Sequence, residues 1–279
     1  MLADPETETA TRARIKQSLG LAEGRLLMTG SAPTPLPLHA WYEALEMPLC
    51  ELYGQSEVLS GTSNLPWDRK PGTLGKPTRN TELKIDDNGE ILIKALAVMS
   101  GYLNEPEKTA QTLVDGWIHT GNRGEIDEDG FLKITGRVKE IFKTARGKYV
   151  APLPIESLFA ANSYLEQLCL IGSGLPQTVL RVQLSAQGKE ADPQTLENTL
   201  RQQTREINAA LEGHARIASV ILSDGDWNAQ NGLVTHTMKI KRAALEKKYT
   251  GLAERVFPRG ASLAAPLVIR EEDILSEPT

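Results

Sequence analysis

The sequence predicts a mixed fold in three parts: a short α/β portion, a small β subdomain and an α+β C-terminal domain. Three observations carry that reading. Residues 25–29, 36–46 and 49–53 read as strand, helix and strand with short connections. From residue 66, prolines and glycines punctuate short apolar strands. Beyond Gly136, longer helical and strand patterns alternate again. The parts are placed at residues 12–65, 66–136 and 137–265. Residues 1–11 read as a disordered leader, low in apolar content, and 266–279 as an acidic, loosely held tail.

Each element has a local reason. Ile15 and Leu19 share a face of a helix over 12–19, and Gly20 suits its stop. Residues 25–29 read as a buried strand ending in Gly30-Ser31-Ala32-Pro33. Leu38, Trp41, Tyr42 and Leu45 fall at helical spacing over 36–46, and residues 49–53 form a strand that ends at Gly54. A strand–helix–strand unit makes the two strands parallel. Gly30 to Pro33 and Gly54 to Glu57 then leave the sheet at its carboxyl edge, where open α/β sheets bind ligands. Strands at 82–85, 90–94 and 131–134 are set off by Asp87-Asn88-Gly89 and Asp129-Gly130, which are hairpin-turn signals. Asn104, Pro106 and Glu107 start a helix that runs to about residue 114. Helices follow near 154–162, 193–211 and 241–249, with strands near 165–171, 179–184 and 218–222. The boundary before the last domain is placed at Arg137 to Lys139, and no internal repeat is found.

Bulk properties narrow the function classes. The 279 residues allow one large domain or two modest ones. A net charge of −5 argues against a nucleic-acid partner. No apolar run approaches a membrane span, so at most peripheral membrane contact is expected. The opening Met1-Leu2-Ala3-Asp4-Pro5-Glu6 lacks the basic start and apolar core of a signal peptide. Cys50 and Cys169 fit two reduced core thiols, which points to the cytoplasm.

Tyr53-Gly54-Gln55-Ser56-Glu57 is the first chemical candidate. An aromatic ring followed by glycine lets a flat base stack close to backbone. The Ser56 hydroxyl can meet a phosphate oxygen, and the Glu57 carboxylate can hold Mg²⁺. A strand ending in a tight turn is the bland alternative. Thr120-Gly121-Asn122 reads equally as a turn, for which Gly and Asn are good residues. Gly136-Arg137-Val138-Lys139-Glu140 could be an exposed charged hairpin, Lys239 a solvated lysine, and Lys241 and Arg242 surface charge. Two signals fail. Glu125, Asp127 and Asp129 imitate the start of a calcium loop, but Gly136 stands where a bidentate glutamate is needed. Gly72-Thr73-Leu74-Gly75-Lys76-Pro77 lacks the leading glycine and the terminal Ser or Thr of a phosphate loop. The four histidines have no metal-ligand spacing.

Taken together and in order, these segments resemble the adenylate-forming enzymes. The resemblance rests on Tyr53 to Glu57, Gly116-Trp117-Ile118-His119-Thr120-Gly121-Asn122, Thr135 to Glu140, Gly147-Lys148-Tyr149-Val150-Ala151-Pro152 and Thr237-Met238-Lys239-Ile240-Lys241-Arg242. Within that superfamily the wording is most similar to bacterial long-chain acyl-CoA synthetases, from about Arg25 to Tyr249. The resemblance implies a truncated adenylate-forming architecture and a two-step reaction: fatty acid and ATP give acyl-AMP and pyrophosphate, then CoA takes the acyl group. ATP or AMP, Mg²⁺, CoA and a fatty acid are the implied ligands.

The resemblance also assigns roles. Gly30, Ser31, Ala32, Pro33, Tyr53, Gly54 and Gln55 would contact the nucleotide. Ser56 and Glu57 would meet the α-phosphate and the metal. Asn122 stands where the family has an aspartate that grips both ribose hydroxyls. Losing one such charge-assisted bond costs about 1.5–3 kcal/mol. Arg137 would bind ribose and phosphate, Lys139 would be the hinge of the C-terminal domain, and Gly147, Lys148 and Tyr149 would line the CoA tunnel. Lys239 would be the mobile catalytic lysine. The family's glycine- and threonine-rich ATP phosphate loop is not found upstream of Tyr53. The chain alone is therefore expected to be inactive or impaired, needing the missing N-terminal half or a second copy. A non-catalytic nucleotide- or CoA-binding or regulatory fragment, an acyl-AMP ligase without the CoA step, and an aryl-CoA ligase are the alternatives.

Overall fold

The computed structural model describes residues 5–223, 225–257 and 266–276, and the chain divides into two compact units, Met1–Thr135 and Gly136–Thr279. Residues 1–4 of the expected leader, 258–265 of the expected C-terminal domain and 277–279 of the expected tail lie outside the described residues.

The first unit opens with α1 (Pro5–Ser18). The expected leader is thus helical from Pro5, because no glycine or internal proline interrupts this stretch and proline is favoured at a first helical position. Gly20 at φ +71° ends the turn that follows. Next come β1 (Leu27–Thr29), α2 (Leu36–Ala44) and β2 (Leu49–Tyr53). β1 and β2 are parallel, with Leu27 opposite Leu49 and Thr29 opposite Glu51. The expectation of a buried β1 fails, since Met28 is 48% exposed at the outer strand of its sheet. β3 (Thr62–Ser63) and β4 (Lys76–Pro77) extend this sheet antiparallel beyond β2.

A second sheet holds β5 (Thr81–Ile85) and β6 (Glu90–Ala95). After α3 (Pro106–Thr112) it is completed by β7 (Leu113–Val114), β8 (Trp117–Ile126) and β9 (Leu132–Arg137). Strand alternation sends Ile91, Ile93, Ile118 and Leu132 into one core with Tyr53 and Val58, so the two sheets share a hydrophobic centre.

The second unit begins with a 3₁₀ turn (Val138–Glu140) and the hairpin β10 (Phe142–Lys143) and β11 (Tyr149–Val150), followed by α4 (Pro152–Ser157). β12 (Leu165–Ile171) and β13 (Thr178–Leu184) precede α5 (Ala186–Glu190) and α6 (Pro193–Ala210). β14 (Ile217–Leu222), α7 (Arg242–Glu254), β15 (Leu267–Arg270) and α8 (Glu271–Leu275) complete it. The sheet order is β12-β13-β14-β15, parallel between β13, β14 and β15. Helices cover both faces, and every residue of β13 and β14 is buried, as a doubly covered sheet requires. Leu196, Leu200 and Ile207 of α6 pack on one face, and Leu245, Tyr249 and Leu252 of α7 belong to the core of the other. Residues 267–276 are therefore no loose tail: β15 completes the sheet, and Ile274 is fully buried. Among the described residues no helix is long and apolar enough to cross a membrane.

Candidate functional site

β2 carries Tyr53 to the carboxyl end of the first sheet, and the chain turns sharply at Gly54. A Cβ there would sit 1.7 Å from the Leu59 carbonyl oxygen, so only glycine permits this turn. The Gly61 amide closes the loop by donating to the Tyr53 carbonyl at 2.8 Å. The neighbouring loop is tied to the same strand. The buried Glu51 carboxylate accepts the Thr34 amide at 3.0 Å and pairs with His39 Nε2 at 3.0 Å. Gly30 to Pro33 thus leaves β1 beside the turn that follows β2. Ser31, Ala32 and Pro33 are exposed, and Ser31 is held at φ +72°.

The Thr120 to Asn122 segment is a bulge inside β8 rather than a turn between elements. Glu90 pairs with Arg123 and Leu92 with His119, so two steps on β6 are matched by four on β8. Gly121 takes φ +70° in the extra stretch. Glu90 braces the bulge through both carboxylate oxygens, accepting the Gly121 amide at 2.7 Å and contacting His119 Nδ1 at 3.0 Å. The bulge reaches the Tyr53 segment twice. Gln55 Nε2 donates to the Thr120 carbonyl at 2.8 Å, and Asn122 Nδ2 donates to the Tyr53 hydroxyl at 2.6 Å. The side-chain carbonyl of Asn122 accepts no hydrogen bond among the described residues.

Ser56 is exposed and Glu57 half-buried on the same loop. Glu57 Oε1 accepts the Tyr102 hydroxyl at 2.7 Å, and Oε2 has no partner among the described residues. No group of three or more His, Cys, Asp or Glu is arranged to hold a metal ion among them. One carboxylate with a spare oxygen suits Mg²⁺, which takes one or two protein carboxylates and completes its octahedron with phosphate oxygens and water.

In the second unit Arg137 ends β9, largely exposed, with Glu140 3.3 Å away. Lys139 is exposed on the 3₁₀ turn. Gly147, at φ +76°, and Lys148 and Tyr149 form the exposed tip of the β10–β11 hairpin. Lys239 sits on a tight loop closed by the Thr235 amide donating to the Lys239 carbonyl at 2.8 Å and by the bridge between Val234 and Ile240. Its ammonium is exposed and has no ion-pair partner among the described residues. Tyr53 and Asn122 are thus brought together, whereas Arg137, Lys139, Tyr149 and Lys239 belong to the other unit.

Arg242 is not surface charge. It is 9% exposed and reaches Glu156 with two bonds of 2.7 and 2.9 Å, the Leu170 carbonyl at 2.6 Å and Glu140 at 3.4 Å. Burial pushes the Glu156 carboxyl upward, against the pull of this guanidinium. Burial likewise raises the Cys169 thiol, which lies 3.1 Å from Arg242 Nη1. Arg242 therefore joins the Lys239 loop to Glu140 of the 3₁₀ turn. Sequence reasoning missed it because a Lys-Arg pair opening a helix looks solvated. It also missed Glu51, Glu90 and Tyr102. The carboxylates lie inside strands, and the only local hint for Tyr102 is the glycine before it.

A family model described as AMP-binding enzyme matches residues 1–103, and one described as AMP-binding enzyme C-terminal domain matches residues 140–260. A long-chain-fatty-acid–CoA ligase, FadD15, of Mycobacterium bovis is 32% identical over 88% of this chain and 44% of its own length. Long-chain-fatty-acid–CoA ligase 5 of Rattus norvegicus is 30% identical over 84% of this chain and 39% of its own. The chain thus spans less than half the length of these relatives. The crystal structure of the anthranilate CoA ligase AuaEII in complex with anthranoyl-AMP aligns with a TM-score of 0.67 at 25% identity, covering 86% of this chain and 48% of that one. The adenylation domain of a carboxylic acid reductase from Segniliparus rugosus shares the fold, with a TM-score of 0.69 at 21% identity over 93% of this chain and 43% of that one. With both parts of one family matched in succession along most of its length, the chain belongs to the AMP-binding, adenylate-forming enzymes.

Proposed function

We propose that this chain carries the adenylate-binding half of a long-chain fatty acid–CoA ligase. The observation that bears most weight is the Asn122–Tyr53 hydrogen bond, with Gln55 on Thr120 beside it. These bonds join two segments far apart in sequence, which supports a base and a ribose lying side by side there. The long-chain ligases among the relatives support the acyl substrate class.

In this reading a fatty carboxylate attacks the α-phosphorus of ATP and pyrophosphate leaves. Tyr53 and Gly54 receive the adenine, Asn122 the ribose, and Ser56 the α-phosphate. Lys239 supplies an ammonium to the charge gathering on carboxylate and phosphate oxygens in the transition state. Glu57 would hold Mg²⁺ through Oε2, and the ion when bound would neutralise phosphate charge. The second unit then swings about Lys139, and Gly147, Lys148 and Tyr149 admit the thiol of CoA. The thiol sulfur attacks the acyl carbonyl, loses its proton, and AMP departs.

Turnover requires more of the large domain than this chain holds. The relatives are more than twice as long in the aligned comparison. Met28 on β1 and Leu36, Leu38 and Trp41 on α2 present apolar surface that suits burial against the remainder or against a second copy. Calorimetry with AMP and with CoA tests the reading. AMP binding that is lost in Tyr53→Ala is expected, together with little fatty-acid-dependent pyrophosphate exchange by the isolated chain. Absence of AMP binding overturns the site, and robust exchange overturns the dependence on a further polypeptide.

A further inference from the structure

Tyr102 has no part in the reading above, yet it is built to face Glu57. Its backbone amide donates to Thr109 Oγ1 at 2.9 Å, and that hydroxyl donates to the Glu105 carbonyl at 3.0 Å. Gly101 lets the chain pass close by: a Cβ there would come within 2.9 Å of Thr109 Cγ2. Lys108 Nζ lies over the Tyr102 ring, 4.2 Å from its centre. From the other side the Met99 amide donates to the Glu57 carbonyl at 2.8 Å. Ring and carboxylate are therefore fixed from both ends, and the hydroxyl meets Oε1 at 2.7 Å.

We propose that Tyr102 is a positioning residue that occupies Glu57 Oε1, leaving Oε2 as a single ligand oxygen and so favouring Mg²⁺ over Ca²⁺. The reason is coordination chemistry. Ca²⁺ readily takes both oxygens of a carboxylate at long distances in a flexible shell. Mg²⁺ demands a compact octahedron and binds carboxylates through one oxygen. A donor fixed on one oxygen blocks the two-oxygen mode and orients the other lone pairs, and such outer partners commonly change metal affinity 10–100-fold. The inference rests on the reading that Glu57 holds the nucleotide's cation.

Water-proton relaxation enhancement of Mn²⁺–ATP by this chain tests it, with Mg²⁺ and Ca²⁺ as competitors. For the wild type, enhancement is expected, and Mg²⁺ displaces Mn²⁺ at lower concentration than Ca²⁺. Glu57→Gln loses the enhancement. Tyr102→Phe binds Mn²⁺–ATP roughly tenfold more weakly and narrows the Mg²⁺-to-Ca²⁺ ratio, a change that a merely structural tyrosine would not produce. No enhancement in the wild type, or none lost in Glu57→Gln, overturns the metal reading and this inference with it. Loss in Glu57→Gln with affinity and ratio both unchanged in Tyr102→Phe overturns the role of Tyr102 alone. Equal displacement by Ca²⁺ and Mg²⁺ in the wild type overturns it without recourse to any Tyr102 variant.

Discussion

Asn122 donates its side-chain amide to the Tyr53 hydroxyl across 2.6 Å, joining residues 69 positions apart. The polarity of this bond matters. An amide nitrogen can only donate, so the tyrosine oxygen accepts and the Asn122 carbonyl is left for a ligand. An aspartate would reverse the bond, accepting from the Tyr53 hydroxyl, and present charged acceptors to two ribose hydroxyls. Asn122→Asp is therefore expected to tighten AMP binding by tenfold or more, equivalent to the low end of about 1.5–3 kcal/mol for a charge-assisted bond. Calorimetry reads the change directly, and weaker binding in the variant would contradict the ribose role.

Gly54 makes a steric prediction. With 1.7 Å between an added methyl and the Leu59 oxygen, Gly54→Ala must move backbone rather than a side-chain end. Overpacking of this kind costs about 1–3 kcal/mol. AMP binding should fall sharply, while hydrogen exchange in β13 and β14 of the second unit stays as in the wild type.

Arg242 bears on the second unit alone. Removing it strands Glu156 in a buried site, and breaking one partner of such a pair costs about 3–5 kcal/mol. Arg242→Met should lower the denaturant midpoint of that unit by a corresponding amount. Arg242→Met with Glu156→Leu should recover most of it, since neither charge is then left without a partner. Equal loss in the single and double variants would mean that packing, not the ion pair, sets the effect.

Asp192 caps α6, accepting the Thr195 hydroxyl at 2.8 Å and the Thr195 amide at 2.9 Å. These bonds, the hydroxyl first, hold its carboxyl below the ordinary value. A carboxyl lowered by folding stabilises above its unfolded pKa, near 3.9, and loses that contribution as pH falls through the lower folded value. The melting difference between wild type and Asp192→Ala should be full at pH 6 and shrink below about pH 4. A difference independent of pH would show that the cap acts without its charge.

Much of the fold was legible in the chain. The parallel pairing of β1 and β2 follows from strand, helix and strand with short links, and the helix expected near 193–211 is α6. Other features lay beyond local pattern. Residues 5–11 are polar yet helical, because helix needs only the absence of breakers there. Residues 267–270 become strand because β14 offers an open edge, which their own sequence does not record.

By itself the sequence determined the family, the strand–helix–strand start and which residue types stand at each motif, since these depend on local periodicity and on words that chemistry constrains. Only the tertiary structure decided that Asn122 faces Tyr53, that Tyr102 holds Glu57 and that Arg242 is buried. Each depends on strand register, on a bulge that adds residues to one side of a ladder, or on which face of a helix meets the sheet. Such contacts join distant segments, and their energy exists only once the chain has closed around them.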